Sequence, residues 1–413
     1  MNKPALALSA LLSGASFTVH ATNGMNLEGY GPLGMSLGGA SMAYDSGLAA
    51  MMNNPATLGL TTQGTQLALA LHHLGPEVTT QGVGESGGNS YFMPAVGWGR
   101  KEGALTYGVG MFAQGGMGTE YGDLGMGEVR SELGVGRLIF PVAYEVSPRL
   151  AVGASLDFVW AMLDVGMAAS SAEIARMGGN IGTADYAYIQ FSDGNDFTGK
   201  AKGTGWAGKL GLTFKATPEL TFGASYHSKT SLSDLETSDQ GASMTLYEGG
   251  TASDPIPGKM TVVDFQWPET FAVGLAWQAT PRLMVAADIR RLQWADAMKN
   301  FRMNFLGGEM VIPQNWKDQN VYALGLQYRP NDRLGLRVGV NYGENPVPDA
   351  TLNPLFPATV EWHYTAGFDY RVSDKGCIAV ALSYAPEVSN TSLAGPVITH
   401  SQLSGMIGYN HHF

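Results

Sequence analysis

Past its first 21 residues this chain has no apolar run approaching the roughly 18 continuous residues of a transmembrane helix, so helices do not carry it across a membrane. Cysteine is almost missing. Cys377 stands alone, which excludes an intramolecular disulfide framework. Positive charge is short as well: Lys and Arg number 24 against 35 Asp and Glu, for a net charge of −11. Nucleic acid needs a basic face and is excluded as a partner. No Gly-x-Ser-x-Gly or Ser/His/Asp arrangement is found, so an outer-membrane lipase or protease lacks its nucleophile and base. His72-His73 and His411-His412 have no metal-ligand companions at recognisable spacing. Asp193–Asp196 reads as a loop turn, with too few spaced oxygens for calcium. Gly203-Thr-Gly205-Trp-Ala-Gly208 fits a dinucleotide fingerprint, but an alternating strand follows where a helix is required. The chain is read as a non-enzyme with no cofactor and no metal.

Hydrophobic residues nevertheless make up 45% of the chain, and its start reads as an export leader. Lys3 precedes a mostly apolar stretch from Ala5 to Phe17, and Val19-His20-Ala21 is an acceptable cleavage site. The stretch is too short to span as a helix anchor. Residues 1–21 are therefore expected to be a signal peptide.

Five related phrases organise the rest: Val146–Leu150, Ala216–Leu220, Ala279–Leu283, Pro330–Leu334 and Val372–Gly376. Each parts two alternating runs. Before the second phrase Leu210, Leu212 and Phe214 alternate with Lys209, Gly211 and Thr213; after it Leu220, Phe222, Ala224 and Tyr226 alternate with Thr221, Gly223, Ser225 and His227. A period of two puts alternate side chains on opposite faces of a strand, and the Pro/Asp-containing phrases are turns. Fourteen such runs are placed near 64–73, 90–99, 104–114, 135–146, 150–161, 203–215, 220–228, 269–278, 283–294, 319–329, 334–343, 361–371, 377–385 and 402–413. An even count, short turns on one side and long loops on the other define an all-β membrane protein, a 14-stranded antiparallel transmembrane barrel spanning 63–413. Glycine, at 56 residues, suits strands that bend and close.

The faces follow from the alternation. Leu150, Val152, Leu156, Phe158 and Trp160 face lipid, as do Phe271, Val273, Leu275 and Trp277, and Trp362, Tyr364, Phe368 and Tyr370. A charge at the lipid midplane costs about 2–4 kcal/mol, so Arg137, Glu145, Asp157, Lys209, Asp288, Arg290, Arg337, Asp369 and Arg371 face inward. They either line a channel or pair with one another. Cys377 is expected in the lumen. On the last strand Leu403, Ile407, Tyr409 and Phe413 share a face, and the terminal Phe413 resembles the signal read by the barrel assembly machinery of a Gram-negative outer membrane.

Residues 22–62 do not alternate. They are rich in Gly, Met and Ala and carry little charge beyond Glu28 and Asp45. A free tail is normally more polar, so this segment is expected to fold inside the lumen as a hatch. Here a family resemblance becomes specific. Met35–Ala40, with Gly38 and Gly39, and Asn54-Pro55-Ala56 resemble the N-terminal hatch of FadL-type outer-membrane transporters of long-chain fatty acids and hydrocarbons. Gly108–Tyr121 resembles that family's kinked third strand, Trp316-Lys317-Asp318 its W-K-D motif and Asn345–Asp349 its P-V-P-D loop. The likeness runs through residues 22–413.

The resemblance implies passive uptake of a long-chain fatty acid or other hydrophobic small molecule past lipopolysaccharide. The implied path is an extracellular apolar groove, a hatch movement and lateral exit into the outer-membrane lipid. Gly115, Gly116 and Gly118 are the candidate wall opening, against a plain loop entrance at the strand's end; Ala113-Gln114-Gly115-Gly116 departs from the family's more usual Pro-Phe-Gly. Met162, Leu163, Met167, Ile174 and Met177 in the 162–200 loop, with Phe301 and Phe305 in a later one, are candidates to line the groove or to cap the barrel by packing on themselves. Ser170-x-x-Glu173 fits a helix cap there. Lys317 either meets a ligand carboxylate or pairs with Asp318. A monomer is expected. The competing readings are a general aqueous porin and a structural outer-membrane protein.

Overall fold

The computed structural model describes residues 23–195, 198–392 and 395–413; the leader expected at 1–21 lies outside them. Its wall is built from β1 (Gly64–Thr80), β2 (Tyr91–Glu102), β3 (Leu105–Asp123), β4 (Glu128–Ser147), β5 (Leu150–Ser170), β6 (Ala201–Lys215), β7 (Leu220–His227), β8 (Thr270–Thr280), β9 (Leu283–Leu292), β10 (Gln319–Tyr328), β11 (Leu334–Gly343), β12 (Trp362–Arg371), β13 (Gly376–Thr391) and β14 (Val397–His412). Each pairs antiparallel with the next, and β14 returns to β1 in a register running from Gln66–His412 to Thr80–Ile398. The barrel is closed with 14 strands, as the alternation requires. Among the described residues no helix is long and apolar enough to cross a membrane.

All five repeated phrases are the tight connections on one rim. The chain terminus shares that rim, where Phe413 N donates to Thr65 O. Alternation sorts the faces as expected. Phe222, Phe271, Val273, Trp277, Phe368 and Tyr384 are exposed on the outside. Ala272, Ala276, Ala323 and Ala381 are buried on the inside.

Several strands are much longer than the sequence pattern indicates. β1 was expected to stop at 73, β3 at 114 and β5 at 161, yet they continue to Thr80, Asp123 and Ser170. β4 begins at Glu128, and β13 and β14 extend toward each other to Thr391 and Val397. The cause is double coverage. In the outer part of β4 Leu133 and Val135 are buried on one face while Arg130 and Glu132 are buried on the other, so no period of two survives. The expected 162–200 loop is thus partly wall. Beyond β5 a helix, Ser171–Arg176, starts at the Ser170–Glu173 capping box, and a strand at Tyr186–Phe191 pairs back on β5.

Two clusters of wall charges in the lumen are paired. Asp157 meets Arg137 at 2.9 Å and also binds Lys209, all three essentially buried. Asp369 binds Arg337 and meets Arg329 at 3.3 Å. Cys377 faces the same interior, its Sγ 3.9 Å from Asp369.

The remaining interior is filled by residues 23–62. Helix α1 (Gly31–Ser36) begins with Pro32 in its first turn, and two 3₁₀ turns follow at Gly47–Met51 and Pro55–Leu60. Wall side chains hold the segment on several sides. Asp288 accepts from Ser41 N at 2.6 Å and Met42 N at 3.2 Å. Arg290 donates to the carbonyls of Glu28 and Gly39, Asn341 to Gly38 O at 2.9 Å, and Lys101 to Gly59 O at 2.6 Å. Gly38 and Gly39 adopt φ of +68° and +87°. A side chain at Gly38 would run into Val340 of β11, and one at Gly39 into the Glu28 carbonyl. Asn54 caps the second 3₁₀ turn through Ala56 N at 3.1 Å. Its amide donates to Met42 O at 2.7 Å and Leu212 O at 3.2 Å, joining segment to wall.

Candidate functional site: a cavity beside a break in the wall

β2 and β3 pair only from Glu102–Leu105 up to Val96–Met111. Above that point, among the wall strands, Tyr91–Ala95 pair only with β1 and Phe112–Asp123 only with β4. The β3–β4 register slips between Ala113 and Gly115, leaving Gln114 unpaired in that ladder as a bulge. The extra residue turns β3 away from β2, and the wall parts.

A cavity of about 430 Å³ lies at this break. Its inner wall comes from Met25, Leu27, Phe112, Met117, Leu133 and Val135. Its lining also includes Phe92, Met111, Gly134, Gly136, Trp160 and Met162. On their strands these last six alternate with the inward set, so the cavity passes from the lumen face to the lipid face. The Trp160 ring lies over Gly136, where a side chain would collide with it. A smaller cavity of about 50 Å³ adjoins deeper in the barrel, sharing Leu27, Met93, Phe112 and Ala113 with the first.

The N-terminal tip seals the break from within. Asn26 forms an antiparallel bridge with Gly115, and Gly116 N donates to Met25 O at 3.1 Å. Gly115 has φ +154°, and a side chain there would strike the Met25 carbonyl. Gln114 anchors the contact: its amide donates to Asn26 Oδ1 at 2.6 Å and to Tyr30 Oη at 2.9 Å. Tyr30 lies 2.6 Å from the Gln114 carbonyl and donates to it. Burial pushes the Tyr30 hydroxyl above its ordinary pKa, which keeps it a neutral donor. Trp267 adds a long bond to Asn26 Oδ1 at 3.3 Å.

Charge is sparse in the cavity. Asn26, Glu28, Tyr91, Glu132, His400 and Gln402 supply its polar atoms, and no Lys or Arg is among the described residues that line it. Glu132 is held by Arg130 at 3.1 Å, outside that lining. Among the described residues no group of His, Cys, Asp and Glu is arranged to hold a metal ion.

Gly115, Gly116, Gly118 and Met162 come together at the cavity. Gly38, Gly39, Asn54, Pro55 and Ala56 sit in the lumen segment, buried. Leu163, Ile174 and Phe305 belong instead to a large hydrophobic cluster over the barrel, against which Met167, Met177 and Phe301 pack. That cluster contains the edge-on series Trp267–Trp294–Trp316, with ring centres 5.5 and 5.2 Å apart. The same cluster includes Met25, Leu133 and Val135 of the cavity's inner wall. Lys317 is exposed and outside the cavity lining. Its neighbour Asp318 pairs with Arg291 at 2.9 Å, not with Lys317. Asn26, Tyr30 and Gln114 carry no sequence signal as anchors, because their partners lie far along the chain.

A closed barrel with a filled lumen and an apolar cavity at a parted wall defines an outer-membrane channel for hydrophobic compounds. The chain belongs to the outer membrane protein transport protein family (OMPP1/FadL/TodX), whose sequence profile matches residues 9–394. It is accordingly a protein of the Gram-negative outer membrane. The toluene transporter TodX of P. putida is 29% identical, with a TM-score of 0.83 and coverage of 94% of this chain and 99% of that one. The toluene transporter TbuX of Ralstonia pickettii is 31% identical, with a TM-score of 0.78 and coverage of 94% and 99%. A Chlorobium limicola protein, described as uncharacterized and from the 5′ region of the phosphoenolpyruvate carboxykinase gene, is 49% identical over 65 residues. That stretch is 16% of this chain and 32% of the relative.

Proposed function

We propose that this channel takes up small neutral hydrocarbons, monoaromatic compounds foremost, and releases them sideways into the outer membrane between β2 and β3. The observation that carries this reading is the cavity itself. It is apolar, it has no cation in its described lining, and it continues through a break in the hydrogen-bonded wall. A fatty-acid carboxylate would arrive there without a counter-charge and lose much of its hydration. A neutral ring loses only apolar contact with water, which favours entry. The toluene transporters at 29% and 31% identity support the same cargo class.

In this scheme the outer cluster collects the compound and the cavity receives it. The N-terminal segment acts as the hatch, and its tip at Met25–Asn26 withdraws from Gly115–Gly116 to clear the way. The exit avoids water throughout. Assembly through the exposed Phe413, insertion among lipopolysaccharide and action as a monomer belong to the same reading.

Gly134 supplies the test. A side chain there meets open space in the structure, yet the residue lines the cavity. Gly134→Trp therefore places a large side chain in the route from a position whose Cβ is unobstructed. Uptake of radiolabelled toluene by cells carrying the variant should fall to the level of cells lacking the protein, while the heat-modifiable gel mobility of a folded barrel is kept. Undiminished uptake by the folded variant overturns the lateral route.

A further inference from the structure

Two side chains that line the cavity carry buried acceptor atoms without a donor. His400 is buried, and its Nδ1 lies 2.9 Å from the Pro357 carbonyl. A carbonyl only accepts, so Nδ1 carries the proton and Nε2 presents a lone pair. That Nε2 is buried and meets no hydrogen-bond partner. Glu28 is fully buried on the same lining, and neither of its carboxylate oxygens finds a donor. The nearest ring nitrogen, His363 Nε2, is 4.0 Å away. Gln402 spends its amide nitrogen on Ser404 Oγ at 3.1 Å, leaving its oxygen. His400 Nε2 and the two Glu28 oxygens are thus acceptors in want of a donor.

An unsatisfied buried acceptor costs free energy that an alkyl group cannot recover. Water can satisfy it, but only by occupying space in an otherwise apolar chamber. A hydroxyl attached to a ring reproduces the water's hydrogen bond while the ring fills the apolar part. A carboxylate brings acceptors to acceptors and is refused.

We propose that the cavity selects aromatic compounds carrying one hydroxyl, such as phenols and aryl alcohols, over the parent hydrocarbon, with His400 Nε2 as the principal acceptor and Glu28 as the second. This rests on the reading of the cavity as the cargo site. It adds to that reading a preference by functional group.

The test is calorimetric titration of the detergent-solubilised protein with p-cresol and p-xylene, which differ by a hydroxyl in place of a methyl, and with p-toluate. The readout is the ratio of p-cresol to p-xylene affinity. His400→Phe, which removes the acceptor, should lower that ratio roughly fivefold to thirtyfold. The affinity for p-xylene should stay essentially unchanged. His400→Gln, which keeps both a donor for Pro357 and an acceptor for the ligand, should restore most of the ratio. p-Toluate should not bind. A ratio that does not move in His400→Phe while p-xylene still binds overturns the selection by His400 and leaves the transport reading intact. Failure of both neutral ligands to bind the wild-type protein overturns both. Should His400→Phe fail to fold, an unchanged ratio in His400→Gln relative to Glu28→Gln and wild type, with p-cresol no better bound than p-xylene in all three, overturns it equally.

Discussion

Among the described residues, Asp157 is the one anion paired with two buried cations, Arg137 on β4 and Lys209 on β6. Removing one member of such a group leaves uncompensated charge in a dry interior, which costs about 3–5 kcal/mol. Asp157→Ala should lower the urea midpoint of the refolded barrel accordingly, measured by tryptophan fluorescence. A combined change of Asp157, Arg137 and Lys209 to apolar residues should restore much of the loss. That all three point inward was legible from strand alternation, because a charge facing lipid is too costly. That they meet one another was not, since the meeting depends on the registers of β4 with β5 and of β5 with β6. Lys317 shows the opposite failure. Its motif was legible, but the shape of the loops leaves it exposed and gives its neighbour to Arg291.

β3 is the element on which the proposed route depends. Its lower part is an ordinary wall strand. From the bulge at Gln114 upward it pairs with β4 on one edge and, at Gly115–Gly116, with the N-terminal tip on the other. Gln114→Leu keeps the bulge but removes the amide held by Asn26 and Tyr30. The tip should loosen by roughly 1–3 kcal/mol, the cost of leaving buried partners unsatisfied. Hydrogen–deuterium exchange of a peptide covering residues 23–30 should rise, with β6–β9 unchanged. Equal protection of that peptide in the variant would deny Gln114 its anchoring role. The site of the break was legible in Gly115, Gly116 and Gly118, because clustered glycines weaken a ladder. The strand's continuation to Asp123 was not, since both of its outer faces are covered and the apolar–polar period vanishes.

At the scale of the whole molecule, residues 23–62 occupy the barrel lumen, and on the proposed reading they keep it shut to water. Deleting residues 23–56 removes the anchors at Asp288, Arg290, Asn341 and Thr365 together with the mass between them. Single-channel conductance in planar bilayers should rise sharply over that of the intact protein. A barrel equally silent without the segment would show that something else fills the lumen. The segment's place was legible in its composition, since a nearly uncharged stretch rich in Gly, Met and Ala has no business in open water. Its fastening was not, because each anchor is a side chain of a different wall strand reaching a backbone atom with no pattern of its own.

The filled lumen and the parted wall together settle a question of economy for the cell. An outer membrane protects by refusing small hydrophilic poisons as much as by refusing oils, and an aqueous pore relaxes the first refusal for every copy inserted. Here residues 23–62 occupy the lumen, and on the proposed route the break between β2 and β3 opens to lipid. On that route, extra copies of this protein should raise the flow of oily nutrients while susceptibility to hydrophilic antibiotics stays where it was.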